Sequence, residues 1–228
     1  MKTSWMFIFL FFSLFSAHGG VSVGGTRLIF DGSKKEASIT VNNSDKHAWL
    51  IQSWIDSTDS NNSAAPFLVT PPLFRLDSGQ SNLLRVIPVS HPLPGDKETL
   101  FWMNIKSIPS GDKPDSHRNT LQLAIKTRIK FIWRPATLKG VPEDVANKLI
   151  WKAEYGQIKV FNPTPFYMNF GKITAGGQPL TPSSVLLSWV APGAILALPR
   201  PAGMHGNEVT WTIINDFGGT GKTFHAAL

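Results

Sequence analysis

Between Asn119 and Pro135 the chain alternates. Leu121, Leu123, Ile125, Ile129, Phe131 and Trp133 share one parity, broken only by Thr127, while Gln122, Lys126, Arg128, Lys130 and Arg134 share the other. Period two is the side-chain repeat of a β-strand, so the pattern predicts a strand over 120–134 with one apolar and one polar face. At about 3.3 Å per residue such a strand extends about 50 Å, whereas a usual strand has about 5–6 residues. One small domain offers too little core to cover so long an apolar row.

Shorter alternating or β-branched runs, punctuated by turn residues about every 8–12 positions, predict an all-β sandwich. They place strands at 26–30, 37–42, 48–54, 67–69, 82–87 and 100–105, which with 120–134 make one immunoglobulin-sized unit. The segment "RPATLKGVP" then breaks the pattern, and Pro142-Glu143-Asp144 predicts a short helix through Lys148, since proline suits a first turn and acids its positive end. Further strands at 149–152, 157–161, 167–173, 185–189 and 208–215 predict a smaller second β-sandwich, giving domains at 20–139 and 140–228.

The beginning of the chain has a different character. Lys2 gives a basic start, Trp5 to Phe15 is apolar apart from Ser13, and "SAHGG" follows with small residues. That is the layout of a secretory signal peptide over 1–19, too short to span a bilayer. No later segment reaches membrane-spanning length, so the mature chain is expected to be exported, without stable membrane insertion. It contains no cysteine and must be held together by core burial alone. The 22 Lys and Arg exceed the 15 Asp and Glu, for a net charge of +7. These cations are scattered, and export argues against nucleic acid as partner; acidic protein surfaces fit better.

Candidate chemistry is sparse. "DFGGTGKT" at 216–223 resembles a phosphate loop, but Asp216 stands where the first glycine is needed and too few residues remain for the following helix. His47, His91, His117, His205 and His225 are isolated, with no metal-ligand spacing. No nucleophile motif occurs, so the expectation is a non-enzyme with no catalytic residues, no metal and no cofactor.

Several segments in order resemble the PapD-like periplasmic pilus chaperones, most nearly the type 1 fimbrial branch. They are "GVSVGGTRLIFDGSKKEASITVNN" at 20–43, "IQSWID" at 51–56, "PFLVTPPLFRLDSGQSNLLRV" at 66–86, "LFWMNIKSIPS" at 100–110, the alternating stretch, "NPTPFY" at 162–167 and "INDFGG" at 214–219. The resemblance implies two immunoglobulin-like sandwiches in an L or boomerang with a cleft between them, located in the periplasm. It implies binding of fimbrial subunits (pilins) that lack a final strand, and delivery to an outer-membrane usher. The chaperone's long strand would enter the subunit's groove by strand addition. Leu121, Leu123 and Ile125 then become the groove-filling residues, about 7 Å apart on one face. At about 1.5–3 kcal/mol each they would contribute about 5–9 kcal/mol gross, before ordering costs.

By the same resemblance Arg27 and Lys130 match two cleft cations that grip the subunit's C-terminal carboxylate. Glu98, Arg134 and Asp216 match a charge network between domains, and Arg134 shares the parity of Lys130, so both could face the cleft. The eight residues at 111–118 form a short connection of the kind that accompanies chaperones of rod-like pili. Without a subunit, an exposed apolar edge favours self-association. Two other readings stay open: a pilus subunit or adhesin, which should carry an N-terminal strand extension and usually a disulfide, and a carbohydrate-binding sandwich using some of the eight tryptophans. Trp54, Trp102 and Trp133 lie in alternating strands, where core packing is expected.

Overall fold

A computed structural model describes residues 20–58, 65–89, 93–110, 121–180 and 189–228. The expected signal peptide at 1–19, the 111–118 connection and nearly all of the strand expected at 185–189 lie outside them. In the first half, strands β1 (Val21–Val23), β2 (Arg27–Asp31), β3 (Ala37–Asn43), β4 (Trp49–Ser57), β5 (Phe67–Thr70), β6 (Leu73–Leu76), β7 (Ser81–Pro88), β8 (Thr99–Pro109) and β9 (Ile125–Arg134) form two sheets. Their orders are β1-β3-β7-β5 and β2-β9-β8-β4-β6. Inward-facing residues of both pack an aromatic centre, in which Phe131 lies 4.7 Å from Phe67 and 6.1 Å from Phe101 between ring centroids.

Helix α1 (Pro142–Val145) and a 3-10 turn at Ala146–Lys148 follow, as Pro142 and the acids predicted. The second half holds β10 (Ile150–Glu154), β11 (Gln157–Phe161), β12 (Met168–Ala175), β13 (Gln178–Pro179), β14 (Trp189–Val190), β15 (Ile195–Pro199), β16 (Glu208–Ile214) and β17 (Thr220–Ala227). Sheet β10-β11-β15 faces sheet β13-β12-β16-β17, to which β14 adds at β12. Its core, around Trp151, Phe170, Trp211 and Phe224, shares no residue with the first. Two separate cores make two sandwiches. Each also buries one asparagine that fastens loops by its amide: Asn43 donates to the carbonyls of His47, Leu76 and Asp77, and Asn162 to those of Phe166, Val190 and Ala191.

The structure corrects the expected strands in three ways. β9 begins at Ile125, and 121–124, expected within it, are not strand: the ladder with β8 ends at the pair Ser107↔Ile125. Alternation specifies which way side chains point, not whether a neighbouring strand is present. Second, β1, β6, β13, β15 and β17 are additional strands; β17 occupies the glycine-rich tail that looked like a phosphate loop. Third, Trp102 and Trp54 do not pack in the core, since Phe101, Met103 and Ile105 on β8, and Ile51, Ser53 and Ile55 on β4, take the buried parity. Trp133 does pack against it.

The apolar row of the alternating stretch splits in two. Ile129 and Phe131 are buried, whereas Leu121, Leu123 and Ile125 are 84%, 64% and 58% exposed. Phe131→Ala should cost about 3–5 kcal/mol, as large-to-small core changes do. Leu123→Ser, on the same parity, should stay within about 0.5 kcal/mol. Urea denaturation of both variants checks the contrast.

Candidate functional site in the cleft between domains

β2 runs parallel to β9 and begins opposite its middle: Arg27 pairs with Lys130, and Asp31 with Arg134. Over 125–129, therefore, β9 is bonded to β8 on one side and, among the described residues, to no strand on the other. An open ladder edge presents unpaired N–H and C=O groups to any incoming strand. The exposed side chains of Leu121, Leu123 and Ile125 lie at and before this edge. The structure thus puts two of the expected sets end to end: the exposed row, then the Arg27 and Lys130 pair where the edge closes.

The polar parity of β9 faces the second domain. Lys130 donates to Asn169 Oδ1 at 2.5 Å and sits 4.8 Å from the centre of the Trp189 ring. Arg27 Nη1 donates to the Ile214 carbonyl at 3.3 Å, while its Nε is buried without a hydrogen-bond partner. Among the described residues neither cation forms an ion pair. Burial, reinforced by repulsion from Arg27, brings the Lys130 ammonium down to about 8. Burial likewise lowers Arg27, opposed by the charges of Asp216 and Glu143, but a guanidinium stays protonated.

Four residues along the same face the arrangement reverses. Arg134 Nε donates to Glu98 at 2.7 Å, and its Nη1 and Nη2 to the two Asp216 oxygens at 2.7 and 2.8 Å. The second Glu98 oxygen accepts the Tyr167 N–H at 2.7 Å. Glu98, Arg134 and Asp216 are thus brought together, and the network ties the two sandwiches, since Asp216 and Tyr167 belong to the second. Burial would lower Arg134, but its bonds to Asp216 and the nearby carboxylates raise it overall. For Glu98, 3% exposed, burial outweighs the attraction of Arg134 and the Tyr167 N–H, and its carboxyl is raised.

The loop bearing Asp216 is fixed by Asn215, whose Oδ1 accepts the N–H groups of Phe217 at 3.1 Å and Gly219 at 2.9 Å. Gly218 adopts φ +89°, and a Cβ there would lie 2.9 Å from Thr26 Oγ1. Glycine lets this turn touch the first domain.

Sequence reasoning missed Asn169, Trp189, Tyr167 and the pair Leu100 and Ile132. The last two pair across β8 and β9, are each 2% exposed, and belong to neither core. They lie on the Lys130 face and form an apolar seam toward the second domain. Ile132 in a row of cations was the available signal. Among the described residues no group of three or more His, Cys, Asp or Glu could hold a metal ion.

Replacing Arg134 by Ala should cost about 3–5 kcal/mol, because it leaves Glu98 buried without its counter-ion. In the variant the folded Glu98 carboxyl lies further above its unfolded value of about 4.3. The deficit should therefore grow as pH rises through that value and shrink on acidification. Denaturation midpoints at acid and neutral pH, compared with the unsubstituted chain, measure it.

Residues 20–139 match the family model "Pili and flagellar-assembly chaperone, PapD N-terminal domain", and residues 144–225 match "Pili assembly chaperone PapD, C-terminal domain". The chaperone protein LpfB of Salmonella typhimurium is 43% identical over 206 residues, covering 89% of this chain and 87% of LpfB. The chaperone protein FimC of Escherichia coli K12 is 38% identical over 204 residues, covering 89% and 82%. In the Salmonella enterica SafA pilin–SafB chaperone complex, one chain superposes with a TM-score of 0.82 at 39% identity, covering 92% of this chain and 96% of that one. The chain belongs to the PapD-like family of pilus-assembly chaperones.

Proposed function

We propose that this chain is a periplasmic chaperone that binds fimbrial subunits by strand addition, keeps them from polymerising and passes them to an outer-membrane usher. It acts by binding, without catalysis or cofactor. In this reading residues 1–19 direct export, and 20–139 and 140–228 are the two chaperone domains. Named relatives are chaperones, and one similar structure pairs a chaperone with a pilin. The observation that carries the reading is the edge of β9, half open among the described residues, closing at two cations that form no ion pair among them.

The geometry dictates how a client would lie. Its last strand adds to β9 at 125–129 and must stop where β2 begins. With its terminal carboxylate between Arg27 and Lys130 it runs in the same direction as β9, as β2 does beyond. A carboxylate there accepts charge-assisted hydrogen bonds and relieves the repulsion between the cations. Ile125, Leu123 and Leu121 then extend along the client's exposed core. In the absence of a client the same edge is available for self-association.

Arg27→Ala and Lys130→Ala should each weaken client binding by about tenfold to a hundredfold, the worth of a charged hydrogen bond of about 1.5–3 kcal/mol. Changing Leu121, Leu123 and Ile125 together to serine should abolish co-purification of a co-expressed pilin. Circular dichroism of each variant should match the parent. Undiminished co-purification with any of them refutes the assignment.

Capture should also depend on pH. A bound carboxylate raises Lys130 above its free value of about 8, so binding takes up a proton. Affinity is full below that value and falls by up to about tenfold per pH unit above it, until the raised value in the complex is reached. Arg27 is the charged group acting on Lys130, and Asp216 and Glu143 act on Arg27. Isothermal titration between pH 6 and 10 reads the slope, which Lys130→Arg should remove.

A further inference from the structure

Asn169 on β12 and Trp189 on β14 are direct cross-strand partners, so their side chains leave one face of the second domain together. Opposite them, Lys130 on β9 and Trp102 on β8 are likewise cross-strand partners. The two pairs meet between the domains. Trp102 and Trp189 make an edge contact with centroids 6.1 Å apart and planes at 80°, and Lys130 reaches both the Asn169 oxygen at 2.5 Å and the Trp189 ring at 4.8 Å. Arg128, the next cation toward the open edge, lies 4.6 Å over the other face-bearing ring, Trp102.

We propose that Asn169 and Trp189 are positioning residues that hold the Lys130 ammonium with neutral acceptors only, leaving its charge for the terminal carboxylate of a client. The inference rests on the function proposed above. An amide oxygen and an aromatic face both orient an ammonium, yet neither cancels its charge. Arg134 shows the alternative on the same face of the same strand: two carboxylates saturate its guanidinium, and it is a tie, not an anchor. A carboxylate at 169 would convert Lys130 into a second such tie. The incoming terminus would then meet an acid at the place where it needs a cation. Because Asn169 and Trp189 come from the second sandwich, the anchor is complete only when both domains are in place, which gives the second domain a part in capture without contacting the client's strand.

The test uses two readouts on the purified chain. One is the NMR titration of the Lys130 ε-methylene in the free protein, where Arg27 on β2, with Asp216 and Glu143 behind it, is the charged surrounding. The other is anisotropy of a labelled peptide copying the last residues of the pilin that co-purifies with the chain, as free acid and as C-terminal amide. Asn169→Asp should raise the Lys130 midpoint by more than one pH unit and weaken the free acid at least tenfold, so that acid and amide bind alike. Trp189→Phe keeps a ring face and should bind nearly as the parent, whereas Trp189→Leu should lose most of the preference for the acid. An Asn169→Asp chain with unchanged midpoint and unchanged preference overturns the inference alone. A parent chain that binds acid and amide equally overturns both this inference and the function on which it rests.

Discussion

A single crossing of the chain decides what β9 can do. β1 belongs to one sheet and β2 to the other, and the chain passes between them at residues 24–26. Gly24 still donates to the Thr40 carbonyl of the first sheet, and a Cβ on it would come within 3.2 Å of that oxygen. By Arg27 the strand has joined β9. One segment serving two sheets must leave each partly unpaired, and the portion of β9 given up is 125–129. The open edge therefore follows from topology rather than from any local weakness in β9, whose ladder with β8 is unbroken from Ile125 to Trp133.

That crossing also fixes where the cations stand. Arg27 is the first residue of β2 and Lys130 its register partner, so both mark the point at which the edge closes. Burying two like charges side by side is unfavourable, and among the described residues no acid forms an ion pair with either, although Asp216 and Glu143 act on Arg27 from further off. The same face has acids available: Glu98 and Asp216 both go to Arg134. One cation is thus saturated and serves the relation between the domains, while two are held by an amide, a ring and a carbonyl and stay able to take an anion. Arg134 stands four residues along β9 from Lys130, so in the proposed function the domain tie would not compete for the client.

Much of this was legible in the sequence, and what was not has physical causes. Period two identified β9 but set its whole apolar row on one face, and it was the resemblance that set Leu121, Leu123 and Ile125 apart. Phe131 lies where β2 and β8 flank the strand, Ile129 is buried just before β2 begins, and the other three are exposed beyond it. The resemblance supplied Arg27, Lys130, Glu98, Arg134 and Asp216 as sets. Hidden from any one-dimensional reading was everything that arises from two strands meeting: Trp102 and Trp54 face away from the core because the register of β4 and β8 puts Ile55 and Met103 inward. Asn169 and Trp189 carry no charge and no motif, and only the approach of the two domains makes them neighbours of Lys130. Short strands such as β13 and β14, with two residues each, have too few positions for a period to be visible.

In the proposed binding mode, edge and cation pair would solve different halves of one registration problem. A strand laid along β9 can slip by one residue or by two. A slip of one turns every side chain to the wrong face and is excluded by the apolar row alone. A slip of two restores the facing of Leu121, Leu123 and Ile125 at a displacement of about 7 Å, and the alternation offers nothing against it. Only a feature that occurs once per chain can break that degeneracy, and a chain has one C-terminal carboxylate. In the proposed binding mode, the two cations at the closed end of the edge make the correct register the one in which the client's terminus meets them. Any register two residues short leaves Arg27 and Lys130 facing neutral backbone, with their mutual repulsion unrelieved.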